Sequence, residues 1–295
     1  MPTGSPVDGF TLTYDRHGSP APGRPTVVLL HGWPGDRTDM GAVAERLAGD
    51  HDVVVPDLRG FGESDKHHLD PAEFYGPAGQ ARSVAGLVEE LGIAEIVVGG
   101  YDVGSRVGQQ LAKNRPDLLR ALVVTPPAPG VGQRILGEAP FAEFWYQSFH
   151  QLDLAERLVD GKPEAARDYV GHFWSHWSGP AFTPDDSRLD HMASVYGPAG
   201  AFVASIGWYR AGGGVVARSL AETVPDPADR ITVPTTFVWP EHDPLFPRAW
   251  SDRLDEFFAD VSVVPADGVG HFVPVEDPDT FAGAVRAATG VEALR

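Results

Sequence analysis

The chain contains no cysteine among its 295 residues. That excludes a disulfide framework and any thiolate nucleophile or thiolate metal site. Lysine is nearly as scarce, with only Lys66, Lys113 and Lys162 present. Basic residues of either kind number 23 against 41 acidic ones, a formal net charge of −18. Nucleic-acid binding needs a basic face, and an anionic lipid surface would repel this chain, so neither is expected as a partner. Solubility is the plainer consequence of the charge. No segment approaches the ~18 consecutive apolar residues of a membrane span. The opening MPTGSPVDGF has neither the basic nor the apolar region of a signal peptide, so a cytoplasmic location is expected.

What the chain does have is enough apolar material for a large core: 42% hydrophobic residues, 10% aromatic. There is no internal repeat. Over the first 125 residues strand and helix signals alternate. FTLTY (10–14) reads as an edge strand and TVVLL (26–30) as a fully buried one, followed by a helix over 39–48 and the strand DVVVP (52–56). A helix over 80–91, the strand IAEIVV (93–98), a helix over 107–114 and the strand RALVV (120–124) complete the run. Such alternation implies right-handed βαβ crossovers and a mostly parallel sheet covered on both faces. The Pro/Gly cluster TPPAPG (125–130) then breaks the pattern, and residues from about 130 to 225 read as aromatic-rich helices. After TVPDPADRITVP, strands at 235–239 and 261–265 alternate with helices at 248–258 and 280–289. The expected organisation is a split α/β core, 1–128 and 226–295, with a helical insert over 129–225. An insert of this kind can roof a pocket at the carboxyl edge of the sheet, where α/β sheets bind ligands.

GGYDVGSR (99–106) stands between a strand and a helix. Small-x-nucleophile-x-small is the pattern of a sharp strand-to-helix turn that presents one side chain, commonly serine. Here the presented residue is Asp102.

Four motifs, HGWPG (31–35), GYDVG (100–104), PEHDP (240–244) and GVGHFVPVEDP (268–278 region, with His271), occur in an order that resembles the α/β-hydrolase fold, and more narrowly its epoxide hydrolase branch. The resemblance spans nearly the whole chain. It implies a mostly parallel sheet of about eight strands with a helical cap inserted after the sixth, and a cofactor-free, metal-free site. A carboxylate at the elbow has its own chemical logic. An alkoxide displacing a leaving group from a saturated carbon would make an ether that water cannot clear, whereas a carboxylate makes an ester that it can. Asp102 therefore points to an epoxide ring or a carbon–halogen bond. The resemblance makes His271 the base that activates water and Asp243 the acid that orients it, with Glu241 as a nearby competitor. It places the oxyanion donors at the backbone N–H groups of Val103 and Trp33. His31 is read as ordering its loop, and the i,i+4 pair His172 and His176 as a helix face that lacks a third metal ligand.

Opening an epoxide leaves an alkoxide that needs a hydrogen-bond donor, a task suited to neutral tyrosine. FWYQSFHQLDLAERLVDG and IGWYRAG resemble the two cap motifs that carry such tyrosines, giving Tyr146 and Tyr209. Phe144, Trp145, Phe149, Trp174, Trp177 and Trp208 are expected to supply an apolar pocket. The implied reaction is hydrolysis of a small apolar epoxide by water to a vicinal diol, and association with further copies of the chain is left open. The alternative is a haloacid or haloalkane dehalogenase using the same aspartate. Haloalkane dehalogenases usually carry a tryptophan after the nucleophile, where this chain has Val103. Fluoroacetate dehalogenases carry arginines one and four residues after it, and here only Arg106 matches. An acidic substrate is thus disfavoured.

Overall fold

The carboxyl ends of the parallel strands decide where chemistry can occur in this molecule. The computed structural model describes residues 2–290. Met1 and residues 291–295, the outer ends of the expected first and third segments, lie outside the described residues. Strands β1 (Tyr14–His17), β2 (Thr26–Leu30), β3 (Val53–Pro56), β4 (Ile96–Gly100), β5 (Leu119–Val124), β6 (Thr235–Pro240) and β7 (Val261–Ala266) form one sheet in the order β1-β3-β2-β4-β5-β6-β7. Only β1 runs antiparallel to its neighbour, pairing Tyr14 with Pro56 through His17 with Val53. β2, β3 and β4 are buried at every position, as expected of apolar runs covered on both faces.

Helices α1 (Gly41–Leu47), α2 (Pro71–Phe74), α3 (Pro77–Glu90) and α4 (Val103–Asn114) connect the first strands. Val103, Val107 and Leu111 of α4 recur every four residues and are buried where α4 meets β4 and β5. Burial of such side chains stabilises by roughly 1.5–3 kcal/mol each, which fixes the helix that carries the elbow. Between β5 and β6 come α5 (Glu138–Glu143), α6 (Trp145–Phe149), α7 (Asp153–Val159), α8 (Pro163–Trp177), α9 (Asp186–Tyr196), α10 (Ala201–Arg210) and α11 (Val215–Leu220). Short α12 (Val273–Glu276) and α13 (Pro278–Ala288) follow β7.

The sheet has seven strands rather than about eight, and the helical insert follows the fifth rather than the sixth. The seven strands read directly from the apolar runs all form, with the first displaced to Tyr14–His17; the eighth came only from the resemblance. Residues 10–14 do not form the expected edge strand; only isolated bridges, Thr3 with Thr13 and Val7 with Phe10, mark that segment. Phe10 is drawn into a separate small cluster with Tyr75 and Ala204. The ladder begins at Tyr14 and runs through polar residues, held in part by the two bonds that Arg16 donates to Asp52. Residues 248–256 form a 3-10 helix instead of the expected α-helix.

Candidate active site

Four loops leave the sheet at its carboxyl edge and bring their side chains together. Asp102 stands between β4 and α4 with φ 48° and ψ −112°, a backbone region that L-residues avoid. Such strain is sustained only where the surroundings enforce it, and here they do. A Cβ on Gly104 would lie 2.2 Å from the Leu30 carbonyl oxygen, and one on Gly100 would lie 2.8 Å from Gly104. The glycines on either side let the turn pass this close to β2, which is why small residues flank the nucleophile position.

The loop after β2 supplies the first partner. The Trp33 N–H donates to Asp102 Oδ1 at 2.8 Å, and the Trp33–Pro34 peptide is cis. Val103, the first residue of α4, presents one of the N–H groups that a helix start leaves without an internal partner. His271 follows β7 and is fully buried, with Nε2 3.6 Å from Asp102 Oδ2 and Nδ1 2.9 Å from Asp243 Oδ2. Asp243 follows β6, and its other oxygen accepts from the Leu245 N–H at 2.8 Å. The competitor Glu241 instead accepts from the Gly268 N–H. His31 binds main chain through both ring nitrogens, Nδ1 at the Gly32 carbonyl and Nε2 at the Leu58 N–H. It orders its loop.

Burial alone would push the His271 pKa down, but the negative charges of Asp243 and Asp102 outweigh it and raise the group to about 10. In the resting protein this imidazole is held as a cation. Loss of the Asp102 charge would remove part of what holds the proton. At 3.6 Å the His271–Asp102 approach is too long for a direct hydrogen bond, and Nε2 has no other partner among the described residues.

The helical insert closes the site from the other side. Tyr146 on α6 and Tyr209 on α10 are both buried, with ring centroids 5.6 Å apart. Tyr146 lies parallel to the Trp33 indole at 5.7 Å, and Tyr209 meets the same indole edge-on at 5.6 Å. Burial, reinforced by the Asp102 charge, raises both hydroxyls well above the usual tyrosine range, so they keep their protons. A narrow cavity is lined by Asp102, Val103, Phe144, Tyr146, Trp208 and Tyr209, with Arg106 and Gln147 at its wall.

Four of the expected pocket aromatics do not line this cavity. Trp145 is 44% exposed and packs on Phe149 and Phe173 across the outer face of α6. Phe149 is half-buried beside it. Trp174 stacks on Phe272 at 3.8 Å and lies under the Arg188 guanidinium, a packing role. Trp177 sits behind the base, its ring 5.2 Å from His271 and its carbonyl accepting the His271 N–H at 2.8 Å. Aromatic content marks the insert; it does not tell which helix face each ring occupies. His172 and His176 stack on each other, and His176 is 2.8 Å from Glu143. Among the described residues no cluster of three potential metal ligands forms.

Two residues that carry the site left no sequence signal of their own. Gln147 donates to the Tyr146 hydroxyl at 3.2 Å while its amide oxygen accepts from the Val216 N–H, so α6 and α11 together orient that tyrosine. Glu276 accepts from the N–H groups of Gly179, Gly270 and Phe272, which fixes the loop bearing His271. The Pro-Val-Glu-Asp-Pro run after the histidine was the only hint of it.

The fold, the strained elbow and the converging strand ends define a hydrolase scaffold. The chain belongs to the α/β-hydrolase fold family, whose model matches residues 25–278. Within that family it is similar to epoxide hydrolases. It is 27% identical over 281 residues to the soluble epoxide hydrolase of Corynebacterium sp. (strain C12), covering 92% of this chain and 91% of that one. It is also 27% identical over 195 residues to a fluoroacetate dehalogenase of Burkholderia sp., covering 64% and 63%. The solved structure of the epoxide hydrolase CorEH without ligand shares the fold with a TM-score of 0.81, 24% identity and 96% coverage of both chains. No helix among the described residues is long and apolar enough to cross a membrane.

Proposed function

We propose that this protein hydrolyses an epoxide to a vicinal diol through an ester on Asp102, with the helical insert acting as the cap of the site. One observation carries the reading: a single cavity joins the Asp102 carboxylate to the residues Tyr146 and Tyr209. Oδ1 is engaged by the Trp33 N–H, so Oδ2 is the attacking oxygen. It forms a bond to a ring carbon as the ring C–O bond breaks, and the ring oxygen takes up a proton from the tyrosine pair. The ester leaves Asp102 without charge, and His271 then gives up its proton, which restores the tyrosine left ionised by ring opening, and as the neutral imidazole takes a proton from the attacking water. Water adds to the Asp102 carbonyl carbon while the Trp33 and Val103 N–H groups hold the oxyanion. Collapse passes the hydroxyl proton of the adduct to the leaving oxygen, which releases the diol and restores the carboxylate, and the proton taken from water leaves His271 as the resting cation. Asp243 holds Nδ1 throughout.

Halide displacement is the second reading, supported by the similarity to fluoroacetate dehalogenase. The two separate in one assay. Incubation with styrene oxide, cyclohexene oxide and haloacetates should give diols with little halide. Halide release without any diol would overturn the first reading in favour of the second.

A further inference from the structure

The helical insert reaches past the cavity to the loop that carries the Trp33 N–H. Two residues on, Gly35 is held from the insert. Its N–H donates to the Tyr196 hydroxyl at 2.8 Å, and that hydroxyl donates back to the Gly35 carbonyl at 2.8 Å. Tyr196 is the last residue of α9, 161 positions away in the chain, and it is buried. Burial raises its pKa well above the usual tyrosine range, so the hydroxyl keeps the proton that it donates. Gly35 has no room to shift. A Cβ there would lie 2.0 Å from Asp39 Oδ2 and 2.5 Å from the Tyr101 hydroxyl oxygen. Tyr101, which directly precedes Asp102, donates to that same Asp39 oxygen at 2.6 Å. The other Asp39 oxygen accepts from Arg188 at 2.8 Å, and His191 Nε2 is 2.9 Å from Asp36 Oδ2. One helix of the insert thus meets this loop at Gly35, Asp36 and Asp39.

Bonds to both the N–H and the C=O of one residue fix its position and its rotation together. Pro34 fixes its own φ, so little backbone freedom lies between Gly35 and the Trp33 N–H. We propose that Tyr196, supported by Arg188, is a positioning residue for ester breakdown: by holding Gly35 it aims the Trp33 N–H, so that the insert helps to build the oxyanion hole as well as roofing the cavity. The step it acts on rests on the proposed ester route; the contact itself does not. The Trp33 N–H meets a charged Asp102 carboxylate before attack and a charged oxyanion during hydrolysis. Charge leaves Asp102 in the first step and returns in the second. Only a bond that strengthens toward a transition state speeds that step, so slack in this donor costs ring opening little and ester breakdown most.

Steady-state kinetics with styrene oxide separate positioning from packing, because kcat/KM ends at ring opening whereas kcat includes ester breakdown. In Tyr196→Phe, kcat should fall by about tenfold or more and KM should fall with it. The ratio kcat/KM should stay within about twofold of the native value, and rapid acid quench should find more of the protein carrying one substrate. Arg188→Lys keeps a charge beside Asp39 but gives up the guanidinium geometry. It should show the same pattern at about threefold, and it decides the matter if Tyr196→Phe does not fold. A mere loss of active protein lowers kcat and kcat/KM together and leaves KM unmoved. Such a parallel fall, or no change in either variant, overturns the inference. Hydrogen exchange reads the contact without turnover: the Trp33 amide should exchange about tenfold faster in whichever variant folds. If no epoxide gives diol or adduct while that exchange responds, the hydrolase reading fails and the positioning contact stands. Unchanged exchange at Trp33 overturns the contact and leaves the reading intact.

Discussion

On the sheet side of the cavity every reacting group is tied to main chain: Asp102 to the Trp33 N–H, Asp243 to the Leu245 N–H, and the His271 loop to the Trp177 carbonyl and Glu276. On the helical side Tyr146 and Tyr209 are held chiefly by rings, against Trp33, Phe173, Trp177 and His150. Hydrogen bonds to backbone fix a position to a few tenths of an ångström and are lost abruptly. Aromatic packing is worth ~0.5–1.5 kcal/mol per pair and yields by small repacking. The proposed nucleophile, base and oxyanion donors therefore sit on the rigid half, and the proposed ring-oxygen donors sit on the adaptable one. Trp33 spans both. Its N–H belongs to the first half and its indole to the second, so a shift in the tyrosines is felt at the carboxylate.

If this division holds, substitutions on the sheet side should cost most. Asp102→Asn keeps a residue that tolerates positive φ, and should lower diol formation by on the order of 10⁴-fold or more. Normal circular dichroism alongside that loss would show that chemistry, not folding, was removed. His271→Gln should slow steady turnover by ~10³-fold yet leave the first step working. Intact-mass measurement should then find protein plus one substrate, and a mass that never changes would rule out the ester. On the helical side Tyr146→Phe and Tyr209→Phe should each cost about 10²-fold, expressed in ester formation rather than in its breakdown. A loss in breakdown would move the tyrosines to the hydrolytic step and erase the distinction between the halves.

The two halves also differed in how far they could be read from sequence. Asp102, His271 and Asp243 each follow a strand, and strands announce themselves by continuous apolar runs such as TVVLL and IAEIVV; the direction of a parallel sheet then brings their ends together. Tyr146 and Tyr209 were legible only through motif resemblance, and both meet the same cavity. Trp145, on the short α6, and Trp174, on the longer α8, were equally conspicuous in the chain but face elsewhere, because aromatic content alone does not set which side of a helix meets the cavity. Gln147 could not be read at all, and Glu276 only as one residue of the run after the histidine. Each is defined by what lies opposite in space, not by its neighbours in the chain.

A weaker effect concerns stability. His271 binds its proton more tightly in the folded state than at its reference pKa of about 6.5. Between that value and about 10 the folded protein holds more protons at this site than the unfolded chain. Stability from this group is complete below pH ~6.5 and is lost as pH rises through the folded pKa. Urea denaturation of the native protein at pH 7 and pH 10.5 should show a fall that is smaller in His271→Gln. Equal falls in both would mean that the two carboxylates do not hold the imidazole as a cation.

The smallest effect should come from Trp145, adjacent in sequence to Tyr146. Successive residues on a helix point about 100° apart, and Trp145 is 44% exposed while Tyr146 is buried against Trp33. Trp145→Ala removes ring contacts to Phe149, Tyr169, His172 and the buried Phe173, and a distant edge contact to Tyr146 at 6.5 Å. It should lower the melting temperature by a few degrees, for a loss of ~1 kcal/mol, and leave kcat/KM for styrene oxide within about twofold. The same substitution at Tyr146 removes a donor as well as a ring. A tenfold loss at Trp145 would show that packing on the outer face of α6 controls the tyrosine hydroxyl, and the adaptable half would then be as stringently positioned as the sheet side.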